Sequence, residues 1–287
     1  MKLTQRDLHV LSMVKNLAFA LTSQVARLFF PNEKVASRRL HKLSRAGFIN
    51  HIEMPSMTKG KGEFAYYLSL KGCRQTDGSA VQPSSIKDLS HTLCVNGFIV
   101  ETILECRKAY LEIEFIKDAF LRKAKRFEAF IRAKSVHTKT MFPDVVLSIR
   151  NENGRKALFF VEVERATIPI ESRRFTSIKE KVEIMAAYID NGVFGFFNDV
   201  FNADFSGFRY LILTSGGEER ISNIISACYD EKQDLDFVWL APFDSITKGL
   251  IAEAIWRRLN MDDKNFYSIF TGSPNTDTLE QTNAGNE

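Results

Sequence analysis

Apolar residues recur at helical spacing three times in the first fifty positions of the chain. Over residues 4–16 they repeat every three or four positions, with Thr4 placed to cap the helix and Asp7 in its first turn. A second apolar stretch ends at Pro31, which stops a helix. A third ends at Gly47, a residue typical of helix ends. The pattern therefore predicts three consecutive short helices.

Two runs of mixed apolar and polar residues follow the third helix and bracket a basic segment. "FINHIEMP" begins at residue 48 and "EFAYYLSLKG" at residue 63, with "SMTKGKG" between them. These runs predict a β-hairpin with a flexible basic tip. In the preceding helix, the spacing assigns Val35, Leu40 and Leu43 to the apolar face. Three short helices followed by a hairpin form the pattern of a winged helix-turn-helix.

Positive charge is concentrated in the same part of the chain. Residues 1–72 hold 12 Lys and Arg but 4 Asp and Glu, whereas the remaining residues hold 27 and 31, so a basic, polyanion-binding module precedes a mildly acidic one. "LHKLSRAGFI" and "YYLSLKG" resemble the recognition helix and wing of bacterial winged-helix domains, in which that helix enters the major groove. A solvated basic face and a protein-binding winged helix are the alternatives. The resemblance implies that DNA faces Lys34, Ser37, Arg38, His41, Lys42 and Arg45 in the helix, and Lys59 and Lys61 in the wing.

Strands and helices alternate through the rest of the chain. Apolar runs such as "YLEIEFI", "DVVLSI", "RYLILT" and "DFVWLAP" predict strands, and periodic stretches predict helices over residues 90–108, 173–192 and 246–259. This alternation is typical of an α/β sheet domain. The predicted organisation is a DNA-binding domain over residues 1–75, a polar linker over 76–89, a sheet domain over 90–262 and a disordered tail over 263–287.

The segment "MFPDVVLSIRNENGRKALFFVEVE" carries the most distinctive chemistry. Strand alternation places Glu162 and Glu164 on one face of the second run, and we expect the apolar opposite face to pack on helices. Asn153-Gly154 suits a tight hairpin, which would bring Asp144 near Glu162. Three adjacent carboxylates repel one another unless a cation holds them, and hard oxygen ligands suit Mg²⁺ or Mn²⁺. The alternative is an edge strand with a solvated outer face.

"FPD", a strand, a hairpin and "VEVE" resemble the core of PD-(D/E)xK nucleases. The resemblance implies that Asp144 and Glu162 are the metal-binding acids. Glu164 stands where the usual pattern has lysine, as in some of these nucleases, and there it would also bind metal and orient the attacking water. Others place the lysine on the next helix. Helical geometry favours Lys181 over Lys179, because Lys181 flanks the apolar face, although a surface lysine is the alternative.

The two halves together resemble the replication-relaxation family and, within it, the MobC-type plasmid relaxases. "LSHTLCVNGFI" also resembles the opening helix of the second domain in that family. The resemblance implies an α+β or α/β chain with a winged helix and a restriction-endonuclease-like mixed sheet. It implies metal-dependent nicking of double-stranded DNA at a plasmid transfer origin, and is compatible with an accessory mobilization protein and a homodimer. The alternative is a non-catalytic DNA-binding regulator of plasmid replication or transcription.

Other functional classes lack their characteristic motifs. The five histidines are scattered without the close pairing that histidine-metal relaxases need, and there is no phosphate-binding loop or serine elbow. The four cysteines are scattered without metal-ligand spacing, so neither a zinc site nor disulfides are expected. A reducing cytoplasm fits this pattern. No apolar run is long enough to predict a membrane span.

Overall fold

The computed structural model divides the chain into two compact units, Met1–Val100 and Glu101–Glu287. The residues that the structure describes are 1–54, 62–76, 89–118, 121–122, 125–134, 140–166, 168–172, 176–231 and 233–269.

The first unit begins with three helices, α1 (Gln5–Leu17), α2 (Thr22–Phe29) and α3 (Glu33–Arg45). Thr4 caps α1 as predicted, and its hydroxyl and backbone exchange hydrogen bonds with Asp7. Asn32 caps α3 by accepting a hydrogen bond from the Val35 amide. The chain leaves α3 through Gly47, whose φ of 77° is accessible to glycine at little cost. The three predicted helices are therefore present.

A small antiparallel sheet follows these helices. The predicted hairpin is formed by β2 (Ile49–Met54) and β3 (Glu63–Leu68), in register from Ile49–Leu68 to Met54–Glu63. A two-residue strand that the sequence does not signal, β1 (Ala20–Leu21), adds to the other edge of β3. A short helix, α4 (Leu70–Cys73), ends this region. The predicted wing tip and most of the predicted linker lie outside the described residues.

A buried ion pair fixes α1 to α3. Asp7 is fully buried, and the Arg39 Nε donates to its Oδ1 at 2.6 Å. Leu40 and Leu43 are also buried on α3, as the spacing predicts. Val35 is instead 37% exposed, because the face of α3 that packs inward is narrower than the apolar pattern indicates. The buried contacts on one side of α3 leave its basic side exposed.

The second unit is built on a mixed sheet of six described strands in sequence order. The first three strands pair antiparallel, the third, fourth and fifth pair parallel, and the last pair is antiparallel. Helices and strands alternate along much of this unit, as the sequence predicts. The helix α5 (Leu89–Lys108) precedes the sheet and contributes residues to both units. The strands are β4 (Glu112–Lys117), β5 (Val145–Arg150), β6 (Lys156–Glu164), β7 (Arg209–Thr214), β8 (Val238–Pro242) and β9 (Arg257–Arg258). The helices are α6 (Arg126–Ala133), α7 (Ile178–Asp190), α8 (Phe196–Phe201) and α9 (Gly217–Cys228).

The face of β6 that carries the glutamates is covered by helices, which corrects the expectation from the sequence. Phe160 shares this face with Glu162 and belongs to one buried apolar cluster with residues of α7 and α9, including Val182 and Ile224. The opposite face is buried as well, since Val161 is 0% exposed. Alternation assigned the glutamates to one face correctly, but it cannot identify which face the helices cover.

The predicted helix over residues 246–259 is wrong. A 3₁₀ helix covers Phe243–Lys248, and the chain then turns at Gly249, whose φ is 128°. The Leu250 and Ile251 amides donate to the two carboxylate oxygens of Glu105, at 2.6 and 2.7 Å. This side-chain acceptor offers the backbone an alternative to helical hydrogen bonds.

Residues 263–269, at the start of the predicted tail, lie within the described part of the chain. Tyr267 and Ser268 are buried, and Tyr267 forms an isolated bridge with Trp256. Residues from 270 onward lie outside the described part of the chain. Among the described helices, none has the length and apolar character required to cross a bilayer.

The Asp7–Arg39 pair makes the stability of the first unit depend on pH. Burial alone would raise the pKa of Asp7, but the hydrogen bonds from Arg39 and Thr4 outweigh it and lower the pKa from 3.8 to about 2. A carboxyl with a lowered pKa stabilises the fold above its unfolded-state pKa, and this stabilisation is lost as the pH falls toward 2. We expect Asp7→Asn to lower the free energy of unfolding near pH 7 by about 2.5 kcal/mol.

Denaturant unfolding of both proteins between pH 7 and pH 3 measures this dependence. The difference in unfolding free energy should be constant above about pH 5 and should narrow below about pH 4. The exposed Glu53→Gln is the matched control and should change stability little. A difference that stays constant down to pH 3 would contradict the proposed linkage.

Candidate functional site

A tight turn sets the register of the β5–β6 hairpin. The Gly154 amide donates to the Asn151 carbonyl at 2.9 Å, and Gly154 takes a φ of 77°, as the Asn-Gly pair predicts. The Arg155 amide donates to the Asn151 side chain at 2.9 Å. The ladder then runs from Arg150–Lys156 to Val145–Val161. Because Asp144 and Glu162 are the next residues on each strand, the register brings them together at the end of the hairpin.

Asp144 joins the ends of three strands. Its Oδ2 accepts a hydrogen bond from the Val163 amide of β6 at 2.8 Å. Its backbone carbonyl accepts one from the Asp118 amide, just after β4, at 3.1 Å. A carboxylate that accepts backbone hydrogen bonds is held in one position. The half-buried Asp144 is thereby fixed beside the end of β6.

Glu162 is buried and pairs with Lys181. The side chains are 6% and 12% exposed, and the Lys181 Nζ donates to Glu162 Oε1. Lys181 lies in the first turns of α7, which Ser177 caps by accepting a hydrogen bond from the Glu180 amide at 3.2 Å. Lys179 instead points to the exposed Glu171 at 2.8 Å. The structure therefore brings Lys181, and not Lys179, to the carboxylates.

Glu164 has a separate set of partners. Its carboxylate accepts hydrogen bonds from the Thr214 hydroxyl at 2.7 Å, from two nitrogens of Arg220 at 3.2 Å each, and from the Ile168 amide at 3.2 Å. Arg220 also donates to the Ile168 carbonyl. Glu164 therefore ties the segment after β6 to α9. The sequence could not have identified Thr214 and Arg220 as partners, because they lie 50 and 56 positions downstream.

Lys117 is a residue at this end of the sheet that the sequence analysis did not select. It lies at the end of β4, where it is 5% exposed and paired in register with Val145. Burial lowers the pKa of Lys117 to about 8, although the charges of Asp118 and Asp144 oppose that change. The sequence did carry a signal for this burial, because the strand period of two places Lys117 on the same face as Ile113 and Phe115.

The carboxylates fit a divalent ion as a pair and not as a group of three. Within the described ranges, no cluster of three or more histidine, cysteine or acidic side chains has the geometry to hold a metal ion. Asp144 and Glu162 are adjacent, however, and Mg²⁺ is often bound through one or two carboxylates together with water and substrate phosphates. The chemistry of these two donors therefore fits Mg²⁺ or Mn²⁺, and phosphate oxygens would supply further ligands.

The residues expected to contact DNA share the outer face of α3. All six side chains predicted on this helix are exposed, while Leu40 and Leu43 face the core. The two predicted wing lysines, Lys59 and Lys61, lie outside the described residues. The exposed six are Lys34, Ser37, Arg38, His41, Lys42 and Arg45.

Comparison with known proteins identifies one family. A family model described as replication-relaxation matches residues 11–200, which is more than half of the chain. The matched range covers the second half of α1, all of α2 and α3, the β5–β6 hairpin and α7. Neither a curated protein nor a solved structure matches the chain significantly.

The network around Glu164 generates a stability prediction. Replacing its fully buried charge by an amide in Glu164→Gln leaves Arg220 without a counter-charge and sets an NH₂ group against donors. We expect the free energy of unfolding to fall by about 3 kcal/mol. Glu171→Gln, which removes the partner of Lys179 in an exposed pair, should cost much less. Urea unfolding of both variants tests the difference, and equal effects would show that the buried network contributes no more than the exposed pair.

Proposed function

The chain belongs to the replication-relaxation family, which indicates a role in plasmid replication or mobilization, and we propose that it is a MobC-type relaxase. In this proposal it nicks double-stranded DNA at a plasmid transfer origin with a divalent metal ion. One observation carries it: the register of the hairpin brings Asp144 and Glu162 together, and α7 adds Lys181. Two carboxylates and a basic group at one sheet end are suited to phosphodiester hydrolysis.

The domain assignments are part of the same proposal. We assign the first unit to the winged helix-turn-helix class, because α1, α2 and α3 are followed by the β2–β3 hairpin. We assign the second to the PD-(D/E)xK class. An antiparallel hairpin that carries the two acids, a parallel neighbour (β7) and a helix that supplies the lysine support this assignment.

The side chains of the site have distinct roles in the proposed reaction. Asp144 and Glu162 would hold the ion, which when bound would polarise the scissile phosphate and activate a water for attack. Lys181 offsets the negative charge that develops on the phosphate. We assign Glu164 a positioning role, because its oxygens accept hydrogen bonds from Thr214 and Arg220. It holds the end of β6 that carries Glu162.

A non-catalytic DNA-binding regulator is the second candidate function. Glu162 and Glu164 each have a basic partner, Lys181 and Arg220, so the buried charges at the end of β6 are balanced without an ion. Buried ion pairs of this kind can be purely structural. In that case the exposed face of α3 carries the function, and the second unit serves dimerisation or DNA wrapping.

Incubation of supercoiled plasmid bearing the transfer origin with protein and Mn²⁺ separates the two functions. A relaxase produces open circles, and EDTA abolishes them. Asp144→Ala should lower the nicking rate by roughly 10²-fold or more, since several kcal/mol of transition-state stabilisation is lost, while a gel shift with the same DNA is unchanged. The exposed Asp190→Ala at the end of α7 is the control and should nick normally. Intact supercoils under a clear gel shift would support the regulator.

DNA binding by α3 has its own test. We expect Arg38→Ala and Lys42→Ala each to weaken binding to duplex DNA and to reduce the slope of log affinity against log salt by about 1, if each neutralises one phosphate. Lys108→Ala removes an exposed charge of α5 and serves as the control. Fluorescence anisotropy at several salt concentrations measures both quantities. Unchanged affinity in both α3 variants would show that this face does not bind DNA and instead contacts another protein or solvent.

A further inference from the structure

Two buried hydroxyls of the central sheet have no hydrogen-bond partner among the described residues, those of Tyr210 and Ser148. Tyr210 is 0% exposed and Ser148 is 1% exposed. A buried hydroxyl without a partner destabilises the folded state, and most such groups in proteins are satisfied. A group of this kind at a functional site can find its partner in another state of the protein.

The sheet register places Tyr210 beside Glu162. Tyr210 on β7 pairs with Phe160, and Ile212 pairs with Glu162, so Tyr210 is a diagonal neighbour of Glu162 on the adjacent strand. Both side chains lie on the helix-covered face, where Tyr210 belongs to the same apolar cluster as Phe160. Diagonal neighbours in a sheet are within reach of aromatic and long side chains.

The phenol of Tyr210 remains protonated. Burial, followed by the negative charges of Glu162 and Asp144, raises the pKa of Tyr210 well above its usual value of 10. A protonated phenol is a hydrogen-bond donor, and a carboxylate is a strong acceptor. Both carboxylates of the proposed metal site are therefore close enough to act electrostatically on this hydroxyl.

We propose that Tyr210 is a positioning residue of the metal site, whose hydroxyl donates a hydrogen bond to the Glu162 carboxylate in the ion-loaded protein. The inference rests on the function proposed above. Lys181 donates to Glu162 Oε1. When Glu162 binds a divalent cation, the like charge repels the Lys181 ammonium. The neutral Tyr210 then replaces it as the donor, and Lys181 is released toward the phosphate.

Tyr210→Phe and Ser148→Ala form a matched pair for the test. Each removes one unpartnered hydroxyl from the same sheet. Ser148 pairs with Leu158 and lies four residues along β5 from Asp144, about 13 Å away at the usual strand rise. Without added metal, both variants should melt at the same temperature as the unsubstituted protein or higher. Isothermal titration with Mn²⁺ alone should give an affinity roughly 10-fold weaker or more for Tyr210→Phe, as for other residues that orient metal ligands. Ser148→Ala should bind as the unsubstituted protein does.

The outcomes separate this inference from the function on which it rests. If the unsubstituted protein binds Mn²⁺ and Tyr210→Phe binds it equally well, the positioning role is wrong while the metal site stands. A lower melting temperature of metal-free Tyr210→Phe would show that the hydroxyl has a structural partner, which also overturns the inference. No binding of Mn²⁺ by the unsubstituted protein would overturn the metal site and the role of Tyr210 together.

Discussion

The register of the β5–β6 hairpin is the constraint on which the site depends. Strand side chains alternate with a period of two, so a slip of one residue would move Glu162 to the other face of the sheet and away from Lys181. The turn at Gly154 prevents that slip, because its left-handed backbone fixes which residues pair. The Val163 amide then bonds to the side chain of Asp144. The turn thus determines that Asp144 lies beside Glu162 at the other end of the hairpin.

Buried charge shapes the second unit as much as apolar packing does. β6 is buried on both faces, and at its end it carries two carboxylates that would each be costly to bury alone. The two helices on that face each supply a basic partner, Lys181 from α7 for Glu162 and Arg220 from α9 for Glu164. The two pairs differ, because Arg220 makes two hydrogen bonds to Glu164 and Lys181 donates to a single oxygen of Glu162.

Local patterns in the sequence predicted what local physics controls. Helical spacing, the Thr4 cap and the Asn-Gly turn each depend on neighbouring residues, and the corresponding elements are present. Helical geometry also selected Lys181 over Lys179. The face that the helices cover and the partners of Glu164 depend on contacts between distant segments, which a single sequence does not encode locally. The helix predicted over residues 246–259 is wrong for the same reason, since the Leu250 and Ile251 amides donate to the distant Glu105.

The division of α3 into an anchored side and an open side has an evolutionary consequence. Leu40, Leu43 and the Arg39–Asp7 pair fix the rotation of the helix about its axis, and none of the six outward side chains takes part in that anchoring. Substitutions on the open side are therefore nearly neutral for folding, whatever they do to recognition. If this side binds DNA as proposed, a lineage of such chains can acquire new target preferences by point changes on it while the scaffold beneath stays the same.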